Sequence, residues 1–167
     1  LTRFRIGLLL VASMTLAVSA SACAGSDGPA KLTLEWSRED ATGAAVSPTE
    51  SLKSILIVRN DGGADLDSVT LRFNQNETGD LPYGISVGTV TNVSSRFDGD
   101  AQVWDLGPIG AGDAVAFPMT LWFEASSRTA EPLAVHLRMV ASSPALPSDV
   151  ESNLFEVMVD TRQAAGR

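Results

Sequence analysis

Apolar and polar residues alternate with a period of two along most of the chain, and that rhythm assigns its elements. Leu32, Leu34 and Trp36 alternate with Thr33 and Glu35. Residues 52–60 form a dense apolar run rich in β-branched side chains and end in Asn60-Asp61-Gly62-Gly63, a turn signal. Val69, Leu71 and Phe73 alternate with Thr70 and Arg72, and Ile85 and Val87 with Ser86 and Gly88, continuing towards Val93. Val103 and Trp104 lead to Leu106 and a Gly-Pro turn. The longest stripe is Val115, Phe117, Met119, Leu121 and Phe123; Leu133, Val135, Leu137 and Met139 make another, and residues 154–159 the last. Successive side chains of a strand point to opposite faces, so each stripe marks a strand with one buried face. About seven or eight such strands, punctuated by Gly, Asn, Asp and Pro, predict an all-β antiparallel sandwich or barrel. No window after the first 22 residues sustains helical spacing. Pro118 falls inside the longest stripe; because proline cannot donate to a ladder, that position predicts an edge strand or a bulge. Residues 37–50 form the longest polar stretch before the core and read as a loop.

The first 22 residues follow a different rule. Arg3 and Arg5 precede a 13-residue apolar run at 6–18, and small residues follow it. That is the three-part pattern of a secretory signal peptide, too short for a membrane span of about 20 residues. Ala20-Ser21-Ala22-Cys23 resembles a bacterial lipobox, with Ala20 where leucine is usual. That resemblance implies lipid on Cys23, cleavage just before it, and a chain tethered to the outer face of the cell membrane. The same residues also fit an A-x-A site for ordinary signal peptidase, which would leave one free thiol. The lipobox is preferred because the only cysteine falls where lipidation needs it. The expected organisation is a signal peptide at 1–22, lipidated Cys23 with a flexible spacer at 23–30, a sandwich at 31–161 and a tail at 162–167. The spacer, Ala-Gly-Ser-Asp-Gly-Pro-Ala from Ala24, is small and turn-rich.

Charge narrows the classes of partner. All 20 acidic residues lie beyond Cys23, against ten basic ones, a net charge of −10 for the processed chain. An acidic chain without a basic cluster excludes nucleic acid, where Lys and Arg must neutralise phosphates. It also excludes peripheral attachment to anionic lipid, which leaves acyl chains to hold the protein to a membrane. With one cysteine there is no intramolecular disulfide, and stability must come from the core.

Several segments resemble, in order, the immunoglobulin-like "conserved repeat" module of bacterial surface proteins, a domain of undetermined function. Ile57-Val58-Arg59-Asn60-Asp61-Gly62 is similar to its early strand and Asn-x-Gly turn, and residues 81–87 to its Leu-Pro-x-Gly segment. Trp104-Asp105-Leu106-Gly107 followed by residues 109–113 is similar to its tryptophan strand and Gly-Asp turn, and Ser152-Asn153 to its final turn. The resemblance covers roughly residues 51–160. It implies an immunoglobulin-like antiparallel sandwich, a surface location and a buried Trp104; it supplies no catalytic residues.

Candidate chemistry is sparse. His136 is the only histidine and shares the polar face of its stripe with Arg138. A triad needs a base held by a carboxylate beside an activated hydroxyl; the Gly-x-Ser-x-Gly pattern at Gly84-Ile85-Ser86-Val87-Gly88 lies within a period-2 strand stripe and not at the strand-to-helix turn that a nucleophile elbow requires. Zinc lacks ligands, with one histidine and one cysteine spent on lipid. Two acidic clusters, Asp61, Asp65 and Asp67, and Asp98, Asp100 and Asp105, carry hard oxygen donors of the kind calcium takes. Asp is also ordinary turn chemistry. Trp122, Phe97 and Tyr83 are candidates for exposed aromatics on a binding surface. The expectation is a non-enzymatic envelope lipoprotein without cofactor that binds or spaces another envelope protein or wall component. The alternative is a small-ligand or calcium-binding lipoprotein using Asp98, Asp100 and Asp105.

Overall fold

The computed structural model describes residues 28–39, 43–48, 50–74, 83–89, 93–125 and 131–163. The signal peptide, Cys23, most of the spacer, the segment Leu81-Pro82 and the end of the tail lie outside them. Among the described residues eleven strands run in chain order: β1 (Leu32–Arg38), β2 (Ser51–Asn60), β3 (Leu66–Asn74), β4 (Tyr83–Thr89), β5 (Ser95–Asp98), β6 (Ala101–Ile109), β7 (Ala114–Ala125), β8 (Leu133–Leu137), β9 (Val140–Ser142), β10 (Val150–Glu151) and β11 (Phe155–Val159). The alternation anticipates seven or eight. The surplus lies in β5, β9 and β10, too short to show a period.

The strands form an antiparallel sandwich. One sheet has the order β1-β2-β7-β4 and the other β10-β9-β3-β6-β5, with β8 and β11 as a separate ribbon. Inward stripes interleave in one core: Leu56, Leu121 and Phe117 from the first sheet, Leu71, Phe73 and Trp104 from the second, Val135 and Val157 from the ribbon. Aromatic edges join the layers. Trp104 meets Phe117 edge to face at 5.7 Å, and Trp36 meets Phe73 at 6.2 Å. Such pairs add roughly 0.5–1.5 kcal/mol beyond area burial.

Pro118 sits in β7, a central strand. The ladder to β2 passes through it without a register shift, Pro118 opposite Ile55. On the other side β4 ends at Thr89, opposite Met119. Among the described residues no strand pairs with β7 at Pro118 on that side, which suits a residue without an N–H.

The stripe ending in Met139 is two strands. β8 pairs with β11 while β9 pairs with β3 and β10, so one long hairpin leaves the ribbon and joins the second sheet. Between its halves the register slips by one residue: 138–139 face 152–154. This is a β-bulge, which bends a strand and re-aims a side chain. Here it aims Asn153 at the rim of the first sheet. The Asn153 amide accepts from Trp36 N–H at 2.6 Å and donates to Trp36 C=O at 2.9 Å, occupying the outer edge of β1 as a neighbouring strand would. Ser152 holds the bulge itself, its N–H on Met139 C=O and its hydroxyl accepting Met139 N–H. Phe155 then stacks on Trp36, centroids 4.6 Å apart and planes 9° from parallel. The polar stretch 37–50 is anchored in the same place. Val46 is buried and makes a parallel bridge to Val159, with backbone bonds to Met158 and Asp160.

Candidate binding surface

The outer face of the first sheet carries residues of intermediate or high exposure in register. Ile55 lies beside Pro118, Lys53 beside Thr120 and Gly88, and Ser51 beside Trp122. Trp122 is 44% exposed although its neighbours Leu121 and Phe123 are fully buried. Alternation explains the contrast: Leu121 and Phe123 point to the core and Trp122 to solvent. Its six-membered ring leans over Gly88, where a Cβ would lie 2.6–2.7 Å from the ring carbons. Glycine inside a strand marks a close approach, and here it gives the indole a seat on the sheet. The ring is thereby oriented before anything binds, which lowers the ordering cost of contact.

Among the described residues two other large apolar side chains are exposed, Phe97 on β5 (66%) and Leu154 in the bulge (48%). They stand apart from Trp122. Phe97 lies opposite Gln102 on the rim of the second sheet. The Tyr83 side chain lies outside what is described.

The acidic clusters do not converge. Asp105 accepts from Arg96 at 2.5 Å and from Thr70 at 3.2 Å. Asp98 faces Arg72 at 3.9 Å, and Asp100 stands exposed in the β5–β6 turn. Asp61 accepts from Thr33 at 2.7 Å and lies 3.8 Å from Arg59; Asp65 accepts the Ala111 N–H at 2.8 Å; Asp67 is exposed. Among the described residues no three His, Cys, Asp or Glu are placed to hold a metal ion. His136 stands on the polar face with Arg138. It lies directly opposite Glu156 on β11, Nε2 to Oε2 3.0 Å, and Arg138 pairs with Glu151. Asp160 is drawn down to about 2 by hydrogen bonds from the side chain and backbone of Arg162. That pair secures the chain after β11.

Pattern reading misses the side-chain amides that join distant segments. Besides Asn153, buried Asn60 accepts from Lys31 and Gly62 N–H and donates to the Ala64 and Ile109 carbonyls. Gln102 donates to Val87 C=O across the sandwich and to the Ser95 hydroxyl. Signals exist for Asn60, through its Asp-Gly turn, and for Asn153, which falls in the segment similar to the module's final turn, but neither names the partner. Gly88 within an apolar alternation is the one sequence hint that something approaches β4 closely.

The chain matches no family model and no curated protein. Among solved structures it is similar to a variant of the major pilin subunit of Bacillus cereus, with 7% identity, 78% of this chain and 40% of that one covered, and a TM-score of 0.50. The CARDB domain of a Pyrococcus furiosus protein in complex with di-metal ions also matches, at 15% identity, 78% of this chain and 88% of that one, TM-score 0.43. So does the chitin-binding domain of a Streptomyces coelicolor protein, at 15% identity, 65% and 89%, TM-score 0.41. Likeness at such identity concerns the fold alone. The chain is an immunoglobulin-like β-sandwich.

Proposed function

We propose that this chain is a non-enzymatic lipoprotein of the cell envelope, whose sandwich binds or spaces another surface component while lipid on Cys23 holds it to the outer membrane face. The binding part rests on one observation, the exposed indole of Trp122 seated on Gly88 in the outer face of a sheet. A large rigid aromatic at the centre of a mixed surface is the commonest anchor of an interface. Its surroundings, Ser51, Lys53 and Thr120, supply donors and acceptors beside it. The surface-protein module that the sequence resembles accords with a binding rather than a catalytic role. The membrane part rests on Cys23 after Ala20-Ser21-Ala22.

Two measurements test the halves separately. Wild type and Trp122→Ala are incubated with isolated envelopes of the producing cells. The substitution is expected to lower retention at least tenfold with an unchanged melting temperature; equal retention removes Trp122 from the site. Cells fed a fatty-acid analogue are expected to label wild type and not Cys23→Ser. An unlabelled wild type released into the medium would favour ordinary signal peptidase.

A further inference from the structure

The rim formed by β5 has a self-complementary order of residues. All four, Ser95, Arg96, Phe97 and Asp98, are exposed, and among the described residues β5 pairs only with β6. The β5–β6 turn is tight: Asp98 pairs with Ala101 around Gly99 and Asp100, and Gly99 has φ 63° while Asp100 stays at negative φ. That is the type II′ hairpin turn, in which the closing pair exchanges hydrogen bonds. Pairs alternate along an antiparallel ladder. Asp98 and Arg96 therefore bond to β6, and the N–H and C=O of Phe97 point away from it, to the open rim.

We propose that β5 is a self-association edge: two copies of this chain pair β5 to β5 antiparallel about Phe97. In that register Phe97 of each copy exchanges both backbone hydrogen bonds with Phe97 of the partner subunit, and the two rings lie side by side on one face. On the other face Arg96 stands opposite Asp98 of the partner subunit, and Asp98 opposite Arg96 of the partner subunit. Charges already on this face extend the pattern, since Arg72 faces Asp98 and Asp105 pairs with Arg96 within each copy. Signs alternate without interruption across the seam: Arg72, Asp98, Arg96 of the partner subunit, Asp105 of the partner subunit. A shift by one residue would flip the faces and lose this match. The second copy is favoured over an arbitrary strand because charged residues on an edge repel most partners, and this order attracts itself.

Cysteine placement in the full-length chain, in the membranes of the cells that make it, tests the register. In a hydrogen-bonded pair the Cα atoms are about 5.5 Å apart, within the roughly 4.4–6.8 Å that a disulfide bridges. Phe97→Cys is expected to give a covalent dimer under a mild copper oxidant. Two position-95 cysteines would be about 13 Å apart along the strand, so Ser95→Cys is expected to give at least tenfold less. Wild type, with Cys23 alone, is the blank. In the Phe97→Cys background, Asp98→Arg or Arg96→Glu is expected to lower the dimer at least tenfold. Co-expressing these two charge variants, differently tagged, is expected to restore a mixed dimer, which also shows that both fold. Crosslinking equal at positions 95 and 97, unaffected by charge reversal, or not restored in the mixture overturns the proposal.

Discussion

The two rims of the sandwich are built on opposite plans. At the β1 rim the bulged hairpin folds over: Asn153 occupies the strand's outer edge, Phe155 stacks on Trp36 and Val46 bridges Val159. At the β4–β5 rim Gln102 is the side chain that spans the sheets among the described residues, and Phe97 is left in water. An edge strand invites pairing by its free N–H and C=O groups. The closed rim answers those groups within the chain, and the open rim leaves them to another one. The difference teaches that the fold's stability and its contacts with other molecules are drawn from separate sides.

The most severe break is in the core, where both rims are alike. Trp104→Ala and Trp36→Ala should each cost about 3–5 kcal/mol, since both side chains are buried. Denaturant melts would measure it; a loss under roughly 1 kcal/mol would place the residue outside the core. Asn153→Ala comes next. It bares the Trp36 N–H and C=O at a part-buried edge, for an expected loss of about 1–3 kcal/mol. Gln102→Ala on the open rim removes bonds to one carbonyl and one hydroxyl and should cost about 1 kcal/mol. If Gln102 proves the costlier of the two, the contrast between the rims fails. A subtler comparison uses the indole nitrogens. That of Trp36 donates to buried Ser54 at 3.1 Å. That of Trp104 has no hydrogen-bond partner among the described residues. Trp36→Phe should therefore destabilise more than Trp104→Phe, by about 1 kcal/mol, the worth of a buried hydrogen bond. The smallest effect is on acid stability. Because the folded carboxyl of Asp160 is held down to about 2 against an ordinary 3.8, its contribution is present above pH 3.8 and disappears as pH falls through 2. Asp160→Asn should flatten that part of a pH–stability curve and leave neutral pH nearly unchanged.

The sequence legibly carries the parts of this molecule that depend on one face of one strand. The resemblance to the surface-protein module puts Trp104 inside; alternation places β1, β2, β3 and β7 and sends His136 and Arg138 outward together. It marks Trp122 as the residue opposite a core stripe. What it lacks is partnership. Leu133 to Met139 reads as a single stripe because every second side chain is buried, yet the hydrogen-bonding partner changes at Arg138 and Met139. Val46 is one apolar residue in a polar stretch, and its burial comes from a bridge 113 positions away. Asn153 reads as a turn residue and Gln102 as an ordinary polar one; their role comes from a bulge and from sheet order, neither of which has a local period. The acidic clusters are the converse case. They are adjacent in sequence and divided in space, because arginines on neighbouring strands claim Asp98 and Asp105 separately.

The clasp between Asn153 and Trp36 joins residues 117 positions apart. A ribosome reads one end of the chain long before the other, so β1 and β2 emerge with their outer edge bare and stay so until nearly the whole domain has been made. Contacts of such separation form slowly, and bare strand edges are where nascent chains stick to one another. Residues 153–159 thus act as a latch that arrives late, and a chain stopped short of them would carry much of the core with the outer edge of β1 uncovered.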